Sequence, residues 1–232
     1  MPDLHNHIGL YAITDARWMP DDTALLQKTE AVLDAGVRLI QYRNKSGDAS
    51  LLLRQARALA RLCHDYGATF VVNDDVELAL ASGARGVHLG QHDGCLHQAR
   101  ARLGSQAIIG RTCHANHTLA QQAAAEGADY VAFGCCFPSQ TKQDAPPASP
   151  AFLQTTRDIP LPRVAIGGIS PDKVTDLLDC GIHLIAVSAG LFAAKDPGQA
   201  AQQYLKALSH SHPIPSTHYT TEVTYDSLVR TV

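Results

Sequence analysis

Four times along the chain a helix-forming run is halted by a glycine and followed at once by a short apolar or β-branched run: LDAGVRLIQ, LASGARGVHLG, AEGADYVAFG and LDCGIHLIAVS. Glycine takes the left-handed backbone conformation without a Cβ clash, so Gly36, Gly83, Gly127 and Gly181 are expected to cap helix C-termini. The run after each glycine predicts a strand. Following the same alternation along the chain gives strands at residues 10–15, 38–45, 69–74, 86–90, 108–114, 130–134, 163–168 and 184–189. These are nearly continuous apolar runs, as expected of strands covered on both faces. Parallel strands joined by helices cross over with one hand, and eight such units predict an α/β fold, a single (β/α)8 TIM barrel. The alternative is an open doubly wound sheet. Such a sheet ordinarily carries a glycine-rich first βα turn, and Thr14-Asp15-Ala16-Arg17 is not one.

The sixth unit departs most from the pattern. Between Lys142 and Pro162 the chain is rich in proline, which predicts a short helix after a long loop. After Leu208 the alternation stops. Residues 1–208 are therefore expected to form the barrel, and 209–232 a short C-terminal extension whose THYTTEVTY stretch fits either an added strand or a disordered end.

A chain of 232 residues, 45% hydrophobic and 18% charged, can bury one barrel-sized core. Its formal charge of −3 and the lack of a long Lys/Arg run argue against a general nucleic-acid or membrane-surface binder. Any phosphate binding must then be local. Met1 to Gly9 has no signal-peptide pattern, and no apolar stretch reaches the length of a membrane span, so a soluble cytoplasmic protein is expected. The six cysteines lack CxxC spacing and are expected to be reduced and structural, with vicinal Cys135 and Cys136 the one pair of note. The sequence leaves a homo-oligomer open.

In a (β/α)8 barrel the chemistry sits at the C-terminal ends of the strands. Here those ends are polar. The second strand closes Gln41-Tyr42-Arg43-Asn44-Lys45, and period two turns Gln41, Arg43 and Lys45 the same way, two cations suited to a diphosphate. The third closes Asn73-Asp74-Asp75, and the fourth passes His88 and Gly90 into Gln91-His92-Asp93. Asp74 alone would be an N-cap and Asp93 a turn residue. As a pair on neighbouring strand ends beside Arg43 and Lys45, they suit Mg²⁺. His88, His92 and His114 lack a zinc-ligand spacing. The fifth strand ends near Thr112, and the sixth leads into Ser139-Gln140-Thr141-Lys142, a polar loop able to meet an anion. Gly167-Gly168 after the seventh strand and Val187-Ser188-Ala189-Gly190 at the eighth occupy the usual barrel phosphate site.

The strings LYAITD, QYRNK, VVNDD, GVHLGQHD, YVAFGCCFPSQTK, AIGGIS and AVSAG, in this order over residues 10–208, resemble the thiamine-phosphate synthase family. The resemblance implies a transferase of thiamine biosynthesis. Its substrates would be two phosphorylated small molecules, 4-amino-2-methyl-5-pyrimidinylmethyl diphosphate and 4-methyl-5-(2-phosphoethyl)thiazole, the latter plain or carboxylated. It implies that Gln41, Tyr42, Arg43, Asn44 and Lys45, with Asn73, Thr112 and Lys142, bind the pyrimidine diphosphate, and that Arg43, Lys45 and Lys142 neutralise the leaving group. It further implies one Mg²⁺ per subunit on Asp74 and Asp93, and a thiazole phosphate met by Ser139, Gln140, Thr141, Gly168, Val187 and Ser188. The segment from Ser139 into the Pro-rich stretch would then serve as a lid that excludes water from a cationic intermediate. Ser139, Thr112 and Asn44 stand where the family usually has other residues, all hydrogen-bonding here, and Cys135-Cys136 replaces small residues or proline. Two other functions fit parts of the pattern: a thiazole tautomerase of the same superfamily, and a non-catalytic binder of thiazole phosphate or thiamine phosphate. Neither uses both aspartates with Arg43 and Lys45.

Overall fold

The computed structural model describes residues 9–137 and 147–211. Eight strands, β1 (Gly9–Ile13), β2 (Leu39–Tyr42), β3 (Thr69–Asn73), β4 (Gly86–Leu89), β5 (Ile108–Thr112), β6 (Tyr130–Phe133), β7 (Arg163–Ile166) and β8 (Leu184–Val187), pair in parallel and in chain order. The sheet closes where Leu10 pairs with Ile185 and Tyr11 with Ala186. This closure is the expected barrel and excludes the open sheet. Each strand lies where the alternation put it, but each stops one to three residues before its expected end. The ladder ends once the chain turns outward at the mouth, so Arg43 to Lys45 and Gly167-Gly168 belong to loops.

Around the barrel run α1 (Asp22–Asp34), α2 (Ala49–Asp65), α3 (Val76–Ser82), α4 (Leu96–Leu103), α5 (His117–Ala125), α6 (Pro150–Thr155), α7 (Val174–Asp179), α8 (Ala189–Phe192) and α9 (Pro197–Ser211). Short polar residues start several of them. Asp21, Asp48, Asp75, Asn116 and Ser149 each accept a backbone N–H from the first turn with the side chain. The glycine stops also hold: Gly36, Gly83, Gly127 and Gly181 all have positive φ, with Gly83 the cap residue itself and the other three one position beyond it. As expected from the prolines, α6 is short, with Pro150 in its first turn. The last helix, α9, continues to Ser211, and residues 212–232 lie outside the described residues, as do residues 138–146.

Alternation along the strands divides the core in two. One cluster, with Leu33, Ile40, Leu59, Val72, Phe133, Leu177 and Phe192, fills the layer between strands and helices. The other fills the barrel: Tyr11, Ile13, Leu39, Val71, Ile108, Tyr130, Ala132, Val164, Leu184 and Ala186. Full burial of each large apolar side chain contributes about 1.5–3 kcal/mol before chain entropy is counted. Period two therefore carries Gln41, Asn73, His88 and Thr112 to the inner side, above the apolar floor. All six cysteines are free; Cys63, Cys113, Cys136 and Cys180 are buried and Cys95 is exposed.

Candidate active site

At the exit of β3, Asp74 stands in the left-handed region at φ 66, a conformation that aspartate tolerates better than most residues. The capping role goes to its neighbour: the Asp75 carboxylate accepts the Leu78 N–H at 2.8 Å. Asp74 is thereby released to turn into the mouth. There it meets the Lys45 ammonium in an ion pair and the Asp93 carboxyl in a hydrogen bond. Asp93, at the exit of β4, also accepts the Gly90 N–H at 3.0 Å. A Cβ at position 90 would stand 2.4 Å from the Asp93 carboxylate oxygen, so glycine makes room for the pair.

The two carboxyls divide their titration. Burial works against the Asp74 carboxylate, but hydrogen bonds from Lys45 and Asp93 outweigh it and hold Asp74 below the usual range. Burial, then the hydrogen bond and charge of Asp74, push Asp93 up. One carboxylate held ionised beside another driven towards its proton is a pair that a shared cation would relieve. Two hard oxygen donors, with room for phosphate oxygens, suit Mg²⁺. Among the described residues no three His, Cys, Asp or Glu side chains gather at metal-holding distance.

Arg43 is fixed from below. Its N–H donates to the buried Thr14 hydroxyl at 2.8 Å, which ties the end of β2 to the exit of β1. Beside it opens a cavity of about 410 Å³, lined by Asp15, Ala16, Arg17, Arg43, Asn44, Lys45 and Ser46. The Arg17 guanidinium grips the Asp15 carboxylate through Nε at 3.0 Å and holds its pKa below the usual range. Asn44 donates to Gln55 Oε1 at 3.1 Å and accepts the Ser46 N–H at 2.9 Å, so this loop is braced on α2.

Within the barrel a polar chain reaches the same mouth. Gln41 Nε2 donates to Tyr11 Oη at 2.6 Å, Tyr11 Oη lies 2.8 Å from Tyr130 Oη, and Tyr130 Oη lies 3.0 Å from His88 Nδ1. His88 Nε2 lies 2.8 Å from Thr112 Oγ1. Both ring nitrogens of His88 are thus engaged by protein groups. Burial pushes its pKa down to about 4, so the ring is neutral at pH 7.

Across the mouth, Gly167 and Gly168 follow β7 with φ 105 and 63. A Cβ on Gly167 would stand 2.3 Å from Cys135 Sγ, so the chain can pass there only as glycine. At the exit of β8 the Ser188 hydroxyl is buried with no hydrogen-bond partner among the described residues. A buried hydroxyl left unsatisfied by the protein is well placed to meet a ligand oxygen.

The chain matches the family described as thiamine monophosphate synthase over residues 10–191. It is 47% identical over 208 residues to a thiamine-phosphate synthase of Marinobacter nauticus, covering 89% of this chain and 93% of that protein. The chain belongs to the thiamine-phosphate synthase family. A thiamine-phosphate synthase of Xanthomonas campestris pv. campestris is 48% identical over 205 residues, covering 88% of this chain and 97% of that one. Among solved structures, a thiamine phosphate pyrophosphorylase from Pyrococcus furiosus superposes with a TM-score of 0.81 at 31% identity, over 90% of this chain and 99% of that one. A 3-hexulose-6-phosphate synthase, TM-score 0.65 at 17% identity over 86% of this chain, shares the barrel alone. Membership of the thiamine-phosphate synthase family makes the chain a transferase of thiamine biosynthesis.

Of the residues expected at the site, Gln41, Arg43, Asn44, Lys45, Asn73, Asp74, Asp93 and Thr112 gather on the β2–β5 side of the mouth, and Gly168 and Ser188 on the β7–β8 side. Two side chains do not face it. Tyr42 and Val187 alternate outward into the layer beneath the helices, where the Tyr42 hydroxyl donates to Gln55 Oε1 at 2.7 Å. Only their backbone can serve the mouth, because neighbouring strand residues point to opposite faces. Ser139, Gln140, Thr141 and Lys142, with most of the expected lid, lie outside the described residues. Sequence reasoning missed Tyr11, Thr14, Asp15, Arg17 and Tyr130. The signal was there for Tyr11 and Tyr130, each an inward position of its strand under period two. For Asp15 and Arg17 no periodic signal exists, since both sit in the turn after β1.

Proposed function

We propose that this chain condenses 4-amino-2-methyl-5-pyrimidinylmethyl diphosphate with 4-methyl-5-(2-phosphoethyl)thiazole, plain or carboxylated, to give thiamine phosphate and diphosphate, with CO₂ released as well when the thiazole is carboxylated. The observation that carries this reading is the Asp74–Asp93 pair set beside Lys45 and Arg43 at the mouth. It combines a place for one hard divalent cation with a place for a polyanion. Asp74 and Asp93 would hold Mg²⁺, which when bound supplies positive charge to the diphosphate oxygens.

The remaining chemistry falls to the protein's own groups. The carbon–oxygen bond to the diphosphate breaks with its electron pair leaving on oxygen, and the thiazole nitrogen lone pair forms the new bond to the methylene carbon. No protein nucleophile is needed. Arg43, anchored through Thr14, offers a planar fork to the departing oxygens. Lys45 exchanges Asp74 for the diphosphate. Gln41, Asn73 and Thr112 orient the pyrimidine diphosphate, and Gly168 and Ser188 receive the thiazole phosphate across the mouth, so that the two rings are aligned before bond breaking.

The test is to incubate the purified protein with both substrates and Mg²⁺ and to quantify products. Thiamine phosphate and diphosphate should appear in equal amounts. A thiazole tautomerase would alter the carboxylated thiazole phosphate and leave the pyrimidine diphosphate intact. A binding protein would return both substrates unchanged.

A further inference from the structure

The interior of a (β/α)8 barrel is ordinarily filled with branched apolar side chains. Here its upper layer is spent on a polar chain: Gln41 from β2, Tyr11 from β1, Tyr130 from β6, His88 from β4 and Thr112 from β5. Tyr130 is wholly buried, Tyr11, Gln41 and His88 nearly so. The fold makes room for this chain. A Cβ at Gly110, the inward position of β5 below Thr112, would fall 2.0 Å from Tyr130 Cζ and 2.4 Å from its hydroxyl. The Tyr130 ring in turn packs edge-on to Tyr11 and stacks on His88, with ring centroids 6.0 and 5.5 Å apart.

The hydrogen bonds in this chain run one way. The Gln41 amide N–H donates to Tyr11, and of the two directions open to the phenol pair, the one that also uses the buried Tyr11 proton has Tyr11 donating to Tyr130. By the same criterion the buried Tyr130 proton goes to His88 Nδ1. A neutral imidazole carries one N–H, left on Nε2, which donates to Thr112 Oγ1. The Thr112 oxygen is therefore used as an acceptor towards the core, and its own proton is turned to the mouth. Both ends of the chain, Gln41 and Thr112, are residues that the proposed function assigns to the pyrimidine diphosphate.

We propose that His88, backed by Tyr130 and Tyr11, is a positioning residue: it fixes the Thr112 hydroxyl as a donor aimed at the diphosphate as that group leaves. This rests on the reaction proposed above. A donor oriented before charge develops on the leaving oxygen acts without reorganising at the moment of bond breaking. The reversed chain, with Thr112 donating to His88, would present an oxygen lone pair to an anion and oppose the departure.

Two measurements test it. In the free enzyme, nitrogen NMR of labelled histidine, with the His88 signals assigned by their loss in His88→Gln, should show Nε2 protonated and Nδ1 bare. The opposite tautomer would overturn the proposal. For kinetics, Tyr130→Phe removes one hydroxyl and should lower kcat about tenfold with KM for the pyrimidine diphosphate nearly unchanged, the size of one hydrogen bond made in the transition state. In a Thr112→Val background the same Tyr130→Phe change should cost less than about twofold, because its effect passes through the hydroxyl already removed. An equal loss in both backgrounds means a structural role only and overturns it. Should Tyr130→Phe fail to fold, Tyr11→Phe breaks the same chain one link earlier and enters the same cycle. If the wild type makes no thiamine phosphate from active substrates, the proposed reaction itself fails, whereas a reversed tautomer or an additive cycle in an active enzyme removes only the positioning role.

Discussion

Asp74 illustrates how much one backbone angle decides. A strand-end aspartate followed by a helix would ordinarily be read as an N-cap, yet the cap is Asp75, and the left-handed turn at Asp74 sends its carboxylate to Lys45 and Asp93 instead. The sequence shows two adjacent aspartates and does not say which caps, because the choice depends on where the β3 ladder stops. Asp93 shares its negative charge with a partner that raises its pKa, so Asp93→Asn should relieve repulsion and leave unfolding by urea unchanged or slightly harder. Turnover should fall by about a hundredfold or more, as for loss of a group stabilising transition-state charge. Arg43→Lys should also lower turnover despite the conserved charge, since only the guanidinium fork can engage a phosphate in two places; unchanged kinetics would take Arg43 out of the diphosphate site. His88 makes a prediction in pH. Its folded-state pKa is lowered from 6.5 to about 4, so the unfolded chain binds the proton more readily. The associated stability is complete above pH 6.5 and is lost as pH falls towards about 4, about 3 kcal/mol in all. Between about pH 7 and about pH 5, the wild-type urea midpoint should therefore fall further than that of His88→Gln.

At the scale of elements, the strands were legible because each is an apolar run bounded by a glycine on one side and polar residues on the other. The inward faces of those strands were only partly legible. Period two turns Gln41 inward, where it meets Tyr11, and it would equally have turned Tyr42 and Val187 outward, where they lie beneath the helices. What periodicity cannot supply is pairing across the barrel: Tyr11 and Tyr130 are 119 positions apart and meet only because β1 and β6 face each other within a closed sheet. Gly110 belongs to the same lesson, for a glycine inside a strand marks the close approach of another group without naming it. Gly110→Ala would drive a methyl into the Tyr130 ring. It should destabilise the fold by about 1–3 kcal/mol, as overpacking of a filled core does. Urea unfolding checks this, and a cost within about 0.5 kcal/mol would show that the ring has space to retreat.

For the molecule as a whole, closure brings the functional pieces together. The exits of β2 to β5 contribute cations, amide, hydroxyl and the acidic pair, and those of β7 and β8 contribute glycines and a buried hydroxyl, all on the one rim where βα turns gather. A formal charge of −3 says nothing of this, because the few charges gathered at the mouth act locally whatever the total. The account's central claim is that turnover runs through the acidic pair at that rim, and the dependence of rate on Mg²⁺ tests it most directly. With both substrates saturating, wild-type formation of thiamine phosphate should rise with Mg²⁺ to a plateau and stop when EDTA is added. Asp93→Asn should require at least about tenfold more Mg²⁺ for half its own, much lower, plateau, as expected when one of two protein carboxylates is lost. Thiamine phosphate formation that is indifferent to EDTA, or an Asp93→Asn curve that overlays the wild type, would contradict the account.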